Sequence, residues 1–330
     1  MKIGQRAAET NPGRKRRRNE DAYVCDPPLF AVADGMGGAQ AGELASSLAA
    51  AALRERDDDD RGGEGRVAEL IQEANRRVHQ RALDDVAASG MGTTMTVALF
   101  QDDGSVSIGH VGDSRAYLLR DGALDQLTDD HSLVAELVRR GELSPEEAEV
   151  HPQRSVITRA LGTEADVDVD TFTVQAHAND VFLLCSDGLT TMVDVETING
   201  IVERGRHDLV GAAHALIKEA NERGGDDNIT ILLFEIAEGE PDEQTAEAPP
   251  AADAEEDTLH PEPAGSSSGD TAVVSVEEIR GALAARAEAG EDDDAEHVPR
   301  ASLLQYALAT LLIAALAALV VFLVVRGLAQ

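Results

Sequence analysis

The 330-residue chain contains no tryptophan, and aromatic residues make up only 3% of it. Its core must therefore be built from Ala, Leu, Val and Ile. Positive charge is scarce as well. Lys and Arg number 28 against 62 Asp and Glu, a formal net charge of −34. A surface of that sign repels nucleic acid and argues against an extended nucleic-acid face; it suits solubility and divalent metals. The two cysteines, Cys25 and Cys185, lack CxxC spacing and read as reduced thiols in a reducing compartment. The nine histidines form no HxH or HExxH cluster, which weakens any zinc reading. The opening stretch, MKIGQRAAETNPGRKRRRNED, has no apolar h-region, so no signal peptide is expected there.

What is present divides into three segments. Residues 1–236 have the texture of a globular domain. Residues 237–299 hold 19 acidic and two basic residues, a net charge of 2 − 19 = −17 and half that of the chain. So little apolar surface with so much charge cannot offset the entropy of ordering, which predicts an extended, disordered linker. Within it, SVEEIRGALAARAEA (275–289) carries a capping box, Ser275 with Glu278, and predicts a short helix. Residues 303–325, LLQYALATLLIAALAALVVFLVV, contain no charge. A helix of that length spans roughly 34 Å, enough for the hydrocarbon core of a bilayer, and predicts a transmembrane helix. With no signal peptide ahead of it, the expected arrangement is a single-pass anchor with residues 1–236 on the cytoplasmic side.

Inside 1–236, short apolar runs alternate with longer helical patterns. GTTMTVALF (92–100), SVSIGHVG (105–112), SRAYLLRDGAL (114–124), VFLLCSDG (181–188) and NITILLFEI (228–236) read as strands. Asp121-Gly122 is a hairpin turn signal. Helical spacing runs through 41–56, 66–85 and 208–224. Hairpin-linked strands with a few long helices predict an α+β fold of antiparallel sheets flanked by helices, rather than βαβ units.

Acids recur where these strands meet their turns. Glu20 and Asp21 precede a strand, and Asp34 ends the run FAVADG. Asp113 sits in the turn of GHVGDSR, Asp187 follows FLLC, and Asp227 precedes NITILLF. One Asp-Gly turn is commonplace, but five such positions could converge at one rim. Carboxylates gathered there would raise one another's pKa unless a cation neutralised them, and an all-oxygen donor set suits Mg²⁺ or Mn²⁺. Two such ions form a known hydrolytic device for phosphoryl groups. Arg16 lies five residues before Asp21, in the basic run RKRRR (14–18). A guanidinium there could grip a phosphate through two parallel hydrogen bonds.

The order RxxNED, VADGMGG, GTT, GHVGDSRAYLLRDG, LTDDHS, HPQRSVITRALG, LLCSDGL, GGDDNIT resembles the metal-dependent protein serine/threonine phosphatases of the protein phosphatase 2C (PP2C) type, bacterial branch. The resemblance covers residues 1 to about 236. It implies a central β-sandwich of two antiparallel sheets flanked by helices, with a binuclear Mn²⁺ or Mg²⁺ site at one end. It also implies roles. Asp34 would bridge both metals and the Gly35 carbonyl would bind one. Asp187 and Asp227 would be further ligands of one metal, Glu20 and Asp21 of the other. Asp113 would join Asp187 at a third, weaker site, and Arg16 would bind phosphate. Residues 137–156 match a flap beside the active site that bears on substrate choice, and Asn228 is expected to shape the turn after Asp227.

One departure stands out. Many eukaryotic members read DGHGG, and that histidine is proposed to protonate the leaving group; here the position is Met36. His131 is a candidate in its place, alongside a purely structural role, and a metal-bound water is an equal alternative as the acid. The implied activity is hydrolysis of phosphoserine and phosphothreonine in proteins. The partners would be phosphorylated proteins, a Ser/Thr protein kinase and its substrates. The alternatives are a membrane-tethered pseudophosphatase that only binds phosphoproteins, which would predict a missing ligand, and a regulatory phosphatase acting on an anti-sigma antagonist.

Overall fold

The computed structural model describes residues 1–37, 41–56, 62–239 and 272–273. Two antiparallel sheets face each other. The first has the order β1 (Lys2–Asn11), β12 (Ile229–Ala237), β11 (Val181–Cys185), β7 (Arg115–Arg120), β8 (Ala123–Gln126). The second runs β10 (Asp170–Gln175), β6 (Ser105–Val111), β5 (Met95–Phe100), β3 (Leu29–Met36), β2 (Asp21–Asp26), with β4 (Gly92–Thr93) paired to the end of β3. The antiparallel sheets flanked by helices that the hairpin pattern predicts, and the sandwich that the resemblance implies, are therefore the observed architecture. The last strand of the two sheets, β12, ends at Ala237.

Period-two alternation decides which residues face where. Phe30, Val32, Phe182, Leu184, Leu232 and Phe234 meet between the sheets. There Phe30 and Phe182 each stack on Phe234, with ring centroids 4.1 and 5.0 Å apart. The intervening residues of the same strands point outward under helices. Ala31 and Ala33 pack with α1 (Ala41–Arg54) and α2 (Gly63–Asp84). Leu183, Ile231 and Leu233 pack with α6 (Val195–Arg204) and α7 (Leu209–Glu222), which follow the one-turn α5 (Asp187–Thr190). The Asp121-Gly122 turn joins β7 to β8, with φ of +52° and +81° at its two residues, as an Asp-Gly hairpin requires.

The segment between β8 and β10 carries α3 (Leu133–Arg139), α4 (Pro145–Glu149) and β9 (Val156–Ile157). Ser144 and Glu147 close a capping box on α4, and Pro145 opens it. The expected flap, residues 137–156, therefore holds the end of α3 and all of the capped α4. A parallel pair joins β9 to β13 (Ala272–Val273), inside the segment expected to be an extended linker. Among the described residues no helix is long and apolar enough to cross a membrane. The apolar run at 303–325, the helix expected at 275–289 and the rest of the linker lie outside the described residues.

Candidate metal centre

Followed toward one end of the sandwich, the interior-facing rows turn from apolar to polar. On β3 the row is Phe30, Val32, Asp34; on β2 it is Cys25, Tyr23, Asp21. On β11 and β12 it passes from Phe182 and Leu184 to Ser186, and from Phe234 and Leu232 to Thr230. The sheet's own periodicity thus gathers polar atoms at one rim. Asp21 and Asp34 are direct partners across the β2–β3 ladder, so their side chains share one face. Ser186 and Thr230 both donate their hydroxyls to Asp21 Oδ2, at 2.8 and 2.6 Å. These hydroxyls were not singled out from the sequence, although their place in the alternating rows was the available signal.

Asp34 does not end its strand. β3 continues through Gly35 and Met36, which pair with Thr93 and Gly92 of β4. The expectation that Asp34 closes the run is corrected: the partner that extends the strand comes from far along the chain. Thr93 Oγ1 donates to the Asp34 carbonyl at 2.8 Å, and Thr94 Oγ1 accepts from the Asp34 N–H at 2.9 Å. Gly35 is fixed by close approach. A Cβ there would lie 2.1 Å from the Gly42 carbonyl oxygen and 2.5 Å from that of Glu20. Its absence lets α1 and the Glu20 backbone close on the rim.

Asn228 does more than shape a turn. Its Oδ1 accepts from the Glu20 N–H at 2.8 Å, and its Nδ2 donates to the carbonyls of Pro12 and Arg18 at 3.0 and 2.9 Å. One buried amide therefore pins both ends of the loop that carries Arg16. Gly13, at φ +75°, turns that loop onto the Asp227 backbone, where any Cβ would lie 2.2 Å from the Asp227 carbonyl oxygen. Arg16 Nη2 donates to Asp227 Oδ2 at 2.8 Å, so the arginine expected to bind phosphate meets an acid expected to bind metal.

Asp113 sits in the turn between β6 and β7, and it is 8% exposed. The preceding Gly112, at φ +112°, is clamped by His131. The Gly112 N–H donates to His131 Nδ1 at 3.0 Å, and the His131 N–H donates to the Gly112 carbonyl at 2.7 Å. With Nδ1 accepting, His131 carries its proton on Nε2, which faces Asp170 Oδ2 at 3.1 Å. Arg159 bonds the same carboxylate. Burial, with Arg159 nearby, keeps the imidazole below its ordinary pKa. At 2% exposure and engaged through both nitrogens, His131 positions the Asp113 turn. Met36 is likewise internal, 4% exposed, and packs with Ile157 and Ala160 at the base of the flap. The position that holds histidine in DGHGG here anchors the flap segment to β3.

Burial, and behind it the charges of Asp21, Asp187, Asp227 and Asp113, holds the Asp34 carboxyl well above the usual carboxylate range. Asp187 is displaced the same way, by burial and then by Asp113, Asp227 and Asp21. Burial pushes Asp21 up to about 6 despite its two hydroxyl donors. Asp113 rises to about 7 through burial and Asp130, with Arg115 pulling the other way. Asp21 Oδ1 and Asp187 Oδ1 are buried with no hydrogen-bond partner among the described residues. No three acidic, histidine or cysteine side chains among the described residues converge as a finished metal cage. The fit to cations rests instead on the donor chemistry. A rim of hard oxygen donors with two orphaned oxygens and mutually raised acids lacks positive charge, and a hard divalent ion supplies it.

Residues 14–219 match the protein phosphatase 2C family. The chain belongs to the protein phosphatase 2C family. It is 42% identical over 237 residues to the serine/threonine phosphatase stp of Listeria welshimeri, covering 68% of this chain and 93% of that protein. The crystal structure of the Mycobacterium tuberculosis serine/threonine phosphatase PstP/Ppp superimposes with a TM-score of 0.68 at 40% identity, over 72% of this chain and all of that one. A catalytic domain of PstP in complex with two manganese ions gives a TM-score of 0.65 at 38% identity, over 72% of this chain and 99% of that one. The family match takes in Arg16, Glu20, Asp21, Asp34, Gly35, Asp113 and Asp187; Asp227 falls beyond its end.

Proposed function

We infer that this protein is a metal-dependent phosphatase acting on phosphoserine and phosphothreonine in proteins. The observation that carries the reading is the crowding of Asp21, Asp34, Asp113 and Asp187 at a rim with orphaned carboxylate oxygens, beside Arg16. In this reading Asp34 would hold both Mn²⁺ or Mg²⁺ ions and the Gly35 carbonyl would join one of them. Asp187 and Asp227 would complete the ligands of one ion, Glu20 and Asp21 those of the other, and Asp113 with Asp187 would hold a weaker third. When bound, the ions activate water near neutral pH and offset the charge of the phosphoryl group.

The chain's own side chains do the rest. Arg16, held at the rim by the Asn228-pinned loop, binds and orients the phosphate through paired hydrogen bonds. Water gives up a proton as its oxygen attacks phosphorus, the bond to the serine or threonine oxygen breaks, and that oxygen takes up a proton, which solvent at the rim can relay; Met36 and His131 are both internal. The purified full chain with Mn²⁺ is expected to release phosphate from a phosphothreonine peptide and to stop in excess EDTA. Turnover that persisted in EDTA would rule the metal reading out.

We further propose that residues 303–325 anchor the protein as a single-pass membrane protein, with the catalytic domain cytoplasmic and opposed to a Ser/Thr kinase. The support is an uncharged apolar run of 23 residues behind an acid-rich tether. The full chain is expected to pellet with membranes, released by detergent and not by salt, while residues 1–299 remain in the supernatant. Pelleting of 1–299 to the same extent would count against the anchor.

A further inference from the structure

The run RKRRR (14–18) is unusual in a chain of net charge −34, and Arg16 alone uses only one of its five cations. Three are answered within the fold: Lys15 by Asp226 at 2.7 Å, Arg16 by Asp227 at 2.8 Å and Arg18 by Glu43 at 3.4 Å. Arg14 and Arg17 are exposed and make no ion pair with any described residue. They are not on a loose tail. The Arg14 and Lys15 N–H groups donate to the Gly225 carbonyl at 2.7 and 3.2 Å, and Asn228 pins Pro12 and Arg18 on either side. Two guanidiniums are thus presented by an anchored loop that also carries the phosphate-gripping arginine.

We propose that Arg14 and Arg17 form a docking surface for acidic residues flanking the phosphorylated serine or threonine, so that substrates with Asp, Glu or a second phosphate near the scissile group are preferred. This rests on the phosphatase reading above and names the substrate class of the same site. An anchored loop loses little freedom when it binds, so charge complementarity there is not cancelled by ordering entropy. The surrounding acidity adds selectivity. The chain's net negative charge repels an acidic segment in general, so a cluster of two guanidiniums unpaired among the described residues gives the loop an advantage as the place where one sits.

An anionic membrane is the competing partner for such a patch, and the chain's net charge of −34 disfavours it, because an anionic surface repels the rest of the protein.

The test uses the full chain in detergent with Mn²⁺ and two phosphothreonine peptides of equal length, one flanked by Asp and Glu, the other by Ala and Ser. Exposed charge pairs are each worth about 0.2–1 kcal/mol. Two of them predict a kcat/KM about two- to thirtyfold higher for the acidic peptide at low salt, carried by KM and reduced by 0.5 M NaCl. The double variant Arg14→Gln/Arg17→Gln should bring the ratio to about one or two, and Arg14→Lys/Arg17→Lys should restore most of it. Equal turnover of the two peptides by the unmodified protein, or a preference that survives the Gln variant, overturns the proposal alone. Turnover of neither peptide overturns the phosphatase reading and this proposal with it. Binding to anionic vesicles that is lost in the Gln variant while peptide preference is unchanged would assign the loop to the membrane instead.

Discussion

Replacing Asp34 with asparagine is expected to lower phosphatase activity by about three orders of magnitude while raising the melting temperature of the metal-free protein. The two effects have one cause. Asp34 faces Asp21 across the β2–β3 ladder and feels the charges of Asp187, Asp227 and Asp113 as well. That crowding is what makes the rim a receiver for cations, and without cations it is a repulsion that the fold must hold together. Asparagine keeps the volume and removes the charge. Its N–H and carbonyl still serve Thr94 and Thr93, because those bonds are made by the backbone. The variant should therefore fold without strain, and the gain in EDTA should be on the order of 1–3 kcal/mol, or about 3–10 °C for a domain of this size. The loss of activity follows from removing the one carboxylate assigned to both ions. Activity and thermal melting in EDTA and in Mn²⁺ would check both parts. Activity within tenfold of the unmodified protein would defeat the bridging role; a lower melting temperature in EDTA would defeat the account of crowding.

The sequence shows the acids of this site better than it shows what holds them. Glu20, Asp21, Asp34, Asp113, Asp187 and Asp227 stand out because each interrupts or borders an apolar run. A carboxylate in that position is a local signal, readable within ten residues. The long helices and the Asp121-Gly122 hairpin are legible for the same reason, since periodicity and turn chemistry are local. The supports are long-range. Asn228 binds Pro12, Arg18 and Glu20 from more than two hundred residues away, and nothing in GGDDNIT says that its amide faces the N-terminal loop. Asp34 sits inside β3 because Gly92 and Thr93 extend the strand, a pairing no local pattern announces.

Met36 illustrates the same division in a different way. Read against DGHGG it poses a question about proton transfer. In the fold it is a packing residue in contact with Ile157 and Ala160, so the strand that presents Asp34 also seats the flap. His131 is tied to the same region: its carbonyl accepts from the Thr158 N–H at 2.9 Å while its ring clamps Gly112. The residues after the flap are thereby bonded to the turn of Asp113, and through Leu161 and Thr93 to the backbone of Asp34. The flap base and the carboxylate rim form one hydrogen-bonded unit. That coupling is a property of the tertiary structure and has no sequence signature.

The metal-free protein should lose stability as pH rises from about 4 to about 7, and Mn²⁺ should reverse that trend. The sign follows from the direction of the shifts. Asp21 and Asp113 are pushed up to about 6 and about 7, and Asp34 and Asp187 also lie well above the ordinary carboxylate range. In the unfolded chain all four would release their protons near pH 4. Between those limits the folded protein holds more protons than the unfolded one, so unfolding becomes easier as protons are withdrawn. The contribution of these groups is complete below about pH 4 and is lost as pH passes through the folded values. A hard divalent ion inverts the preference, because it binds the ionised carboxylates and displaces their protons. The gap in melting temperature between Mn²⁺ and EDTA should therefore be small near pH 5 and reach about 10 °C or more near pH 8. Calorimetric titration of the full chain with Mn²⁺ at pH 6, in buffers of different ionisation enthalpy, should show at least one proton released per protein, and fewer at pH 8. A melting temperature in EDTA that climbed steadily from pH 5 to 7.5, together with metal binding that released no protons, would mean that these carboxylates are ionised in the fold and that the rim is not short of positive charge.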